Sequence, residues 1–226
     1  MKYTLKVLRK APGEEKQYWQ DFEYESESEN DTVASALLKI GEVKWECSCL
    51  QKKCGACAMV IDNIPRLACD TKLSDCKSET ITVQPLRKFP VISDLVVDRS
   101  ILYRNLETMK TWLCQDADFG DANPDKYREL AYQGSECIQC GCCLEVCPNF
   151  YPGGSFFGMA SVPLTMRLLS ETDRKLYMDN AKLYRKHIYS GCGKSLACKD
   201  ICPRKIDTEK LLVNLNALAV WKRKKK

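Results

Sequence analysis

The chain has 226 residues and a formal net charge of +5, and because the basic tail 222–226 supplies five positive charges, the remainder is neutral. Fifteen residues are cysteine, and the chain opens Met1-Lys2-Tyr3-Thr4-Leu5-Lys6 without the apolar core of a signal peptide, which favours metal ligation in a reducing compartment over a disulfide scaffold. No stretch approaches the roughly 20 apolar residues of a membrane-spanning helix, so we expect a chain that does not span a membrane by itself.

The first half of the chain predicts a hairpin followed by a helix. Polar and apolar residues alternate along residues 2–10 and 17–25, and a Pro-Gly turn sequence lies between them. Asp31 or Thr32 can then cap a helix with Val33, Leu37 and Ile40 on one face. With two more short strands at 58–62 and 80–84, this order predicts a β-grasp ferredoxin domain over residues 1–97.

A cysteine loop within this domain predicts a 2Fe-2S cluster. Cys49, Cys54, Cys57 and Cys69 give C-x4-C-x2-C-x11-C, and the first three have the plant-type ferredoxin spacing. Gly55 gives the backbone room to turn the thiolates inward, and amides in such a loop can donate to sulfur. Zinc is the alternative occupant, because C-x2-C pairs often bind it.

Two cysteines near this loop fall outside the predicted ligand set. Cys47 could compete with Cys49 as the first ligand, but its spacing to Cys54 does not match the ferredoxin pattern. We therefore interpret Cys47 and Cys76 as non-ligands.

The second half of the chain, residues 98–226, predicts a helical domain. Leu102, Leu106, Met109 and Leu113 share one face of a helix predicted over 98–113. Asn123-Pro124 predicts the start of a helix that ends near Gly134, and two helices follow at 163–171 and 173–188. Asp207 or Thr208 begins a final helix, whose apolar residues are Leu211, Leu215, Leu218 and Val220 or Trp221.

A second cysteine run predicts two further clusters. Cys137, Cys140, Cys143 and Cys147, followed by Pro148, give C-x2-C-x2-C-x3-C-P, in which the fourth cysteine ligates a different cluster from the first three. The other cysteine group is Cys192, Cys198 and Cys202, followed by Pro203. We therefore predict a 4Fe-4S cluster on Cys137, Cys140, Cys143 and Cys202, and a second cluster on Cys147, Cys192 and Cys198.

The second cluster lacks a fourth cysteine. Ser195 stands where a repeat of the first run would supply the missing thiolate, so the sequence predicts a 3Fe-4S cluster, with a serine-ligated fourth iron as the alternative. The same spacing predicts that Cys142 faces away from the cluster. Cys114 is interpreted as a core residue, since free cysteine is commonly buried.

The single histidine, His187, excludes a Rieske centre and a bis-histidine haem, each of which needs two. We interpret His187 as a helix-surface or interface residue. No Ser/His/Asp set, phosphate-binding glycine loop or paired-carboxylate site stands out. The sequence therefore predicts an electron carrier whose substrate chemistry takes place on another chain.

With its three cysteine groups placed, the sequence resembles the iron-sulfur subunit of the succinate dehydrogenase and fumarate reductase family. The resemblance covers nearly the whole chain and includes Pro90-Val91-Ile92-Ser93-Asp94-Leu95-Val96-Val97-Asp98. It implies an α+β chain with an N-terminal β-grasp 2Fe-2S domain and a C-terminal α-helical ferredoxin domain. It also implies single-electron transfer between a FAD-containing flavoprotein subunit and quinone at a membrane anchor of the cytochrome b type.

The resemblance implies a position for each cluster in such a complex. Cys49, Cys54, Cys57 and Cys69 would face the flavoprotein, and Cys147, Cys192 and Cys198 would lie nearest the quinone. Many ubiquinone enzymes have an aromatic pair that includes tryptophan after the first C-P and a histidine after the first cysteine of the second group. This chain has Asn149-Phe150-Tyr151-Pro152 and Gly193 at those places. The stretch around Cys192 looks more like menaquinone-linked bacterial fumarate reductases, which implies a peripheral subunit on the cytoplasmic side of the inner membrane in anaerobic respiration.

Two alternatives remain. The same two-domain subunit serves soluble flavoprotein reductases such as thiol-linked fumarate reductases. A zinc-stabilised nucleic-acid-binding protein is the remote alternative, suggested by the cysteine pairs and the basic tail. Because the body of the chain lacks a basic stripe, we expect no nucleic-acid partner.

Overall fold

The computed structural model describes residues 1–112, 124–171 and 174–221. The chain divides into two compact units. The first comprises Met1–Arg99 and Ile138–Glu145, and the second comprises Ser100–Cys137 and Val146–Lys226. The predicted division at residue 97 stays a prediction, and the first unit also takes in a segment of the second cysteine run.

A five-stranded mixed sheet forms the first unit. Its strand order is β2-β1-β5-β3-β4, with β1 and β5 parallel and the other neighbours antiparallel. A small antiparallel pair, β6 and β7, lies outside that sheet. The strands are β1 (Lys2–Lys10), β2 (Gln17–Glu25), β3 (Ala58–Ile61), β4 (Ile64–Leu67), β5 (Thr80–Gln84), β6 (Val91–Ser93) and β7 (Val96–Val97).

The predicted hairpin and helix are confirmed. Strands β1 and β2 pair along their whole length, and Tyr3, Leu5 and Val7 of β1 are buried. Helix α1 spans Val33–Ile40, and Thr32 is its N-cap, because the Thr32 side chain accepts a hydrogen bond from the Ser35 amide. The predicted β-grasp arrangement, a hairpin followed by a helix on a mixed sheet, is therefore present.

The hairpin of β3 and β4 is a strand pairing that the sequence pattern did not predict. Its two turn residues, Asp62 and Asn63, both have positive φ, at 47° and 62°. This conformation suits tight hairpins and is usually supplied by glycine. Pro65 lies in β4 at the edge of the sheet, where a strand tolerates a residue without an N–H. Strand β4 was not predicted because its turn contains no glycine and the strand itself contains a proline.

Asp94 connects three segments of the first unit. Its carboxylate accepts hydrogen bonds from Arg9 Nε at 3.2 Å, the Lys10 amide at 3.1 Å and the Lys44 amide at 2.9 Å. Burial alone would raise the pKa of Asp94, but the hydrogen bonds from Arg9, Lys44 and Lys10 outweigh it and hold the pKa below its ordinary value. Because Lys44 precedes the cysteine loop, Asp94 fixes where that loop starts.

Three contacts hold the segment Ile138–Glu145 in the first unit. It contains the short helix α4 (Cys142–Glu145), and the Glu145 side chain, only 1% exposed, accepts a hydrogen bond from Arg87 Nε at 2.8 Å. Gly141 lies against the Phe89 ring, and the Cys140 backbone and side chain lie against Gly55. Part of the second cysteine run thus belongs structurally to the ferredoxin unit.

Helices form the second unit. They are α2 (Ser100–Thr108), α3 (Pro124–Ser135), α5 (Val162–Glu171), α6 (Arg174–His187) and α7 (Thr208–Asn216), followed by a π-helical turn at Ala217–Trp221. Asp207 caps α7 by accepting a hydrogen bond from the Lys210 amide, as predicted. In the part of the chain that the structure describes, no helix is long and apolar enough to cross a membrane. The predicted fold class is confirmed.

Helix α2 ends earlier than predicted. Its face carries Leu102 and Leu106 as expected, and both are buried, as is Met109 directly after the helix. Lys110 then adopts φ 51°, and the Thr111 amide donates to the Leu106 carbonyl oxygen, a six-residue closure typical of a helix C-terminus. Glycine usually marks such an ending, so lysine at this position gave no warning. The predicted positions Leu113, Cys114 and Asn123 and the tail 222–226 lie outside the described residues.

The prediction that His187 lies on a helix surface or interface is wrong. His187 is 7% exposed, its ring stacks on Phe157 with the centroids 4.2 Å apart, and its Nδ1 bonds the Ser155 carbonyl oxygen at 2.9 Å. It lies at the end of α6, beside fully buried Tyr184. Since a single histidine has no spacing pattern, the sequence could not reveal that its ring packs inward.

Asp94→Asn should destabilise the first unit. The amide group presents a donor to the amides of Lys10 and Lys44, so we expect a loss of about 2 kcal/mol and an unfolding midpoint lower by roughly 4–8 °C. Because the folded pKa of Asp94 is depressed, its stabilisation is full above the ordinary carboxyl pKa and disappears as the pH falls through the folded value. Thermal unfolding followed by circular dichroism measures this.

The matched control is Asp21→Asn, which removes an exposed carboxylate from β2. It should leave the midpoint within about 1–2 °C of the wild type. Equal midpoint shifts in the two variants would contradict the role assigned to Asp94.

Candidate iron-sulfur sites

The predicted 2Fe-2S ligands lie on one loop of the first unit and on the turn that follows β4. Backbone amides surround them: the amides of Gln51 and Lys53 each donate to Cys49 Sγ at 3.3 Å, and the Lys52 amide donates to Cys69 Sγ at 3.3 Å. Leu50 and Lys52 have φ 52° and 58°, and these left-handed turns bring the amides around to face sulfur. The loop is therefore shaped to support thiolates rather than thiols.

The four thiols of this loop meet in two pairs. Cys49 is within hydrogen-bond reach of Cys54, and Cys57 is within hydrogen-bond reach of Cys69. Each iron of a 2Fe-2S cluster takes two thiolates, so two neighbouring pairs fit this group. Among the described residues, no three His, Cys, Asp or Glu side chains meet closely enough to hold a single metal ion.

The pKa values of these thiols differ with their surroundings. The amides of Gln51 and Lys53 lower the pKa of Cys49 to about 7, and burial raises the pKa of Cys57 to about 12. A cysteine must lose its proton before it can bind iron. Cys49 loses its proton near neutral pH, whereas the buried Cys57 needs bound iron to lose its proton at that pH. Loading of this site should therefore release protons.

The loop carbonyls of the 2Fe-2S site are held by one side chain. Arg99 Nη1 donates to the Gly55 carbonyl oxygen at 3.1 Å, and Nη2 donates to those of Ala56 at 2.8 Å and Ala58 at 3.0 Å. Its Nη1 also lies 3.6 Å from Glu46 Oε2. Arg99 belongs to no cysteine motif, and sequence reasoning did not single it out.

Two of the predicted 4Fe-4S ligands, Cys140 and Cys143, lie in the first unit. Cys140 is buried, and a hydrogen bond from the Cys142 thiol is the main reason why its pKa falls to about 7. Cys142 itself is fully buried, and the same bond and its burial raise its pKa well above the ordinary value. The Cys142 side chain packs inward beside Cys140, and its predicted orientation away from the cluster stays a prediction.

The other two predicted 4Fe-4S ligands, Cys137 and Cys202, lie in the second unit. An ion pair joins their neighbours, because Arg204 Nη2 contacts Glu136 Oε1 at 2.9 Å. Glu136 precedes Cys137, and Arg204 follows Pro203. The second unit therefore brings the start of the first run close to the end of the second group.

The three cysteines predicted to hold the remaining cluster line one cavity in the second unit. Cys147, Cys192 and Cys198 share it with Ser195, and apolar side chains form most of the other wall: Phe156, Met159, Val162, Ile188, Leu196 and Leu212. Burial is the main cause that raises the pKa of Cys198, and the nearby Cys147 and Cys192 contribute. Three thiols around a shared apolar cavity fit a compact iron-sulfur cluster.

Short-range contacts shape this cavity. Asn149 Nδ2 donates to the Gly191 carbonyl oxygen at 2.7 Å, which joins the end of the first run to the start of the second group. A Cβ at Gly191 would lie 2.6 Å from the Phe156 ring, so only glycine fits there. Thr208 Oγ1, at the start of α7, donates to the Cys198 carbonyl oxygen at 3.3 Å. These contacts bring residues distant in sequence to one cavity, and the assignment of each cysteine to a cluster stays a prediction.

Comparisons with known families agree with the predicted cofactors. The family model described as "2Fe-2S iron-sulfur cluster binding domain" matches residues 4–104, and the one described as "4Fe-4S dicluster domain" matches residues 133–206. The predicted 2Fe-2S and 4Fe-4S cofactors are therefore confirmed. All four cysteines of the first loop and both later cysteine groups fall inside these matches.

Similar proteins point to one kind of subunit. The chain is 35% identical over 207 residues to the succinate dehydrogenase iron-sulfur subunit of Bacillus subtilis, covering 83% of this chain and 81% of that protein. It is 30% identical over 190 residues to the fumarate reductase iron-sulfur subunit of Escherichia coli, covering 78% of each. A chain of the Mycobacterium smegmatis Sdh1 complex in the apo form has the same fold, with a TM-score of 0.74, 23% identity and 99% of each chain covered.

Gly55→Ala should disrupt the 2Fe-2S loop. Gly55 has φ +76°, and a Cβ there would lie 2.9 Å from both Cys140 Cβ and the Ile138 carbonyl oxygen. We expect the loop to shift and the purified chain to lose about two irons, those of the 2Fe-2S cluster. Iron analysis and the visible absorption spectrum measure the loss.

Gly13→Ala provides a matched control. Gly13 has φ +81° but nothing within 4 Å of an added Cβ, so this variant carries the same backbone strain without the clash. It should cost about 1 kcal/mol of stability and keep its full iron content. A full iron content in Gly55→Ala would contradict the importance of the Gly55–Cys140 contact.

Proposed function

Because the chain belongs to the family of iron-sulfur subunits of succinate dehydrogenase and fumarate reductase, we propose that it relays single electrons between a FAD-containing flavoprotein subunit and menaquinone. The quinone would be bound at a membrane anchor subunit of the cytochrome b type. In this proposal the chain is a peripheral subunit on the cytoplasmic side of the membrane. The chain itself carries out no substrate chemistry.

One observation carries the proposal: Cys147, Cys192 and Cys198 line a single apolar cavity together with Ser195. Three thiols and a serine, rather than four thiols, support a 3Fe-4S cluster at the last site. A chain with 2Fe-2S, 4Fe-4S and 3Fe-4S clusters in this order fits a relay of electrons between two partners better than it fits a simple ferredoxin. Bound clusters would supply the one-electron chemistry, and their potentials would depend on charge, hydrogen bonds and exposure.

The 2Fe-2S loop supports the entry end of this relay. The Cys54 thiol is exposed, so the loop is accessible to a partner subunit. Amide donors to the sulfurs of Cys49 and Cys69 would stabilise the added negative charge of a reduced cluster. The cysteines of this loop would hold the iron, and the amide donors would favour acceptance of an electron.

Contact between two cysteine loops supports the next step. Gly55, between Cys54 and Cys57, lies in van der Waals contact with Cys140. Inside the first unit, only Gly55 therefore lies between Cys54, a predicted 2Fe-2S ligand, and Cys140, a predicted 4Fe-4S ligand. Such closeness favours direct electron transfer without a mobile carrier.

Asn149 and Gly193 support menaquinone as the partner at the exit end. Gly193 has no side chain, and a Cβ there would lie 3.0 Å from Asn149 Nδ2. The Asn149 side chain is already committed to the Gly191 carbonyl oxygen. A histidine at this position would displace the Asn149 side chain from that hydrogen bond, which agrees with the likeness of this stretch to menaquinone-linked fumarate reductases.

The first test is iron content and paramagnetic resonance. The full chain, purified anaerobically with any partner that co-purifies, should be brown and contain about nine irons, from 2Fe-2S, 4Fe-4S and 3Fe-4S clusters. The oxidised protein should give the signal of a 3Fe-4S centre, and a quinol should reduce it in the assembled complex. A colourless zinc protein would overturn the whole proposal.

A second test concerns Ser195. Ser195→Cys adds a thiolate to the cavity, so the last cluster should convert toward 4Fe-4S and lose the oxidised 3Fe-4S signal. It should also become harder to reduce, because the irons of a resting 4Fe-4S cluster are already half ferrous, whereas those of an oxidised 3Fe-4S cluster are all ferric. Redox titration followed by paramagnetic resonance measures both changes.

Ser190→Cys is the matched control. Ser190 is exposed, bonds the Lys186 carbonyl oxygen and does not line the cavity. Its substitution should leave the spectrum unchanged. An unchanged spectrum in Ser195→Cys would instead count against the assignment of Cys147, Cys192 and Cys198 to one cluster.

A further inference from the structure

Arg99 is not a cluster ligand, yet it makes several hydrogen bonds to the backbone of the 2Fe-2S loop. Its two terminal nitrogens donate three hydrogen bonds, at 2.8–3.1 Å, to the carbonyl oxygens of Gly55, Ala56 and Ala58. These residues surround Cys57, so one planar guanidinium fixes the backbone on both sides of a predicted ligand. A flexible ammonium group has no such fork and could not hold all three carbonyls in this geometry.

The same side chain lies close to a ligand of another predicted cluster. Gly55, whose carbonyl Arg99 binds, touches Cys140 through the space where a Cβ would be. One residue, Gly55, therefore separates the guanidinium from Cys140, and the positive charge of Arg99 lies close to any cluster held there. The guanidinium thus acts on Cys140 as well as on the loop of Cys57.

Arg99 is also largely buried and incompletely paired. Its side chain is 14% exposed, and its charge partner Glu46 is 3.6 Å away and 44% exposed. Within the described residues, Arg99 Nε is buried and has no hydrogen-bond partner. A buried N–H donor normally finds an acceptor. A sulfur of a bound cluster would provide an acceptor at a site that the chain itself leaves unpaired.

We propose that Arg99 is a positioning residue for two iron-sulfur centres, which locks the 2Fe-2S loop by its fork of hydrogen bonds and stabilises the reduced cluster on Cys140 by its charge. The proposal rests on the proposed function, because it requires clusters at Cys57 and Cys140. It assigns Arg99 two separable roles, one geometric and one electrostatic. A lysine keeps the second role and loses the first, whereas a glutamine loses the charge.

The experiment compares Arg99→Gln, Arg99→Lys and Arg104→Gln in the full chain, purified anaerobically with any partner that co-purifies. Arg104 is an exposed arginine that bonds Ser100 Oγ at 2.9 Å, so its variant removes the same charge away from the loop. Redox titration followed by paramagnetic resonance gives the potential of each cluster. The rate at which a chelator removes iron from the 2Fe-2S site reports on the loop.

The charge role predicts a change in potential. In Arg99→Gln the equilibrium constant for reduction of the cluster on Cys140 should fall about tenfold, which is about 59 mV for one electron. Arg99→Lys should stay within about threefold of the wild type because the charge remains. Arg104→Gln should match the wild type. Equal potentials in Arg99→Gln and the wild type, with all clusters present, would overturn the proposal while leaving the proposed function intact.

The geometric role predicts faster loss of iron. In Arg99→Lys the chelator should remove 2Fe-2S iron several-fold faster than in the wild type, because the three carbonyls are no longer held together. If Arg99→Gln does not retain its clusters, Arg99→Lys is the deciding variant. A wild-type rate of iron loss in Arg99→Lys would overturn the proposal. Absence of clusters in the wild type would instead be a failure of the proposed function.

Discussion

The close approach of Gly55 and Cys140 is the constraint on which the first unit depends. At this point the backbone of one cysteine loop lies against the side chain of another, and a single added methyl group would not fit. Around it, Gly141 packs on Phe89, and buried Glu145 accepts hydrogen bonds from Arg87 Nε and the Lys88 amide. A buried carboxylate is costly unless it is paired, so these bonds fix the register of the segment. The ferredoxin sheet therefore serves as the support for two predicted cluster loops.

Sequence reasoning predicted the elements that carry periodic or spaced signals. The hairpin of β1 and β2, the Thr32 cap, the Asp207 cap and the buried face of α2 follow from alternation, capping chemistry and helical spacing. The cysteine groups follow from ligand spacing, since a cluster allows few separations between its thiolates. Each of these signals is local, because it depends on residues within a few positions of one another.

The features that the sequence did not reveal depend on contacts between distant segments. Arg99 reaches carbonyls more than 40 positions away, and Glu145 bonds residues 57 and 58 positions away. Nothing near Arg99 distinguishes it from an exposed arginine such as Arg104. His187 was misjudged because a single histidine carries no spacing signal, whereas tertiary packing buries its ring. A single sequence without periodicity around such residues cannot separate a core contact from a surface position.

The two predicted cluster sites would surround a redox centre in opposite ways. The loop of Cys49 is polar and partly exposed, whereas the cavity of Cys147, Cys192 and Cys198 is mostly apolar. The Cys49 loop offers amide donors and an exposed neighbour, Cys54, so added negative charge there is solvated. The cavity is mostly apolar, and burial opposes added charge, as the raised pKa of Cys198 shows. A cluster in this cavity would therefore accept an electron readily only if its resting irons are ferric, as they are in an oxidised 3Fe-4S cluster. Under the proposed assignment, Ser195 leaves the cavity with three thiolates, which favours that cluster over 4Fe-4S. Ser195 and the apolar wall would then be complementary: the serine selects a cluster that can be reduced where the surroundings oppose added charge.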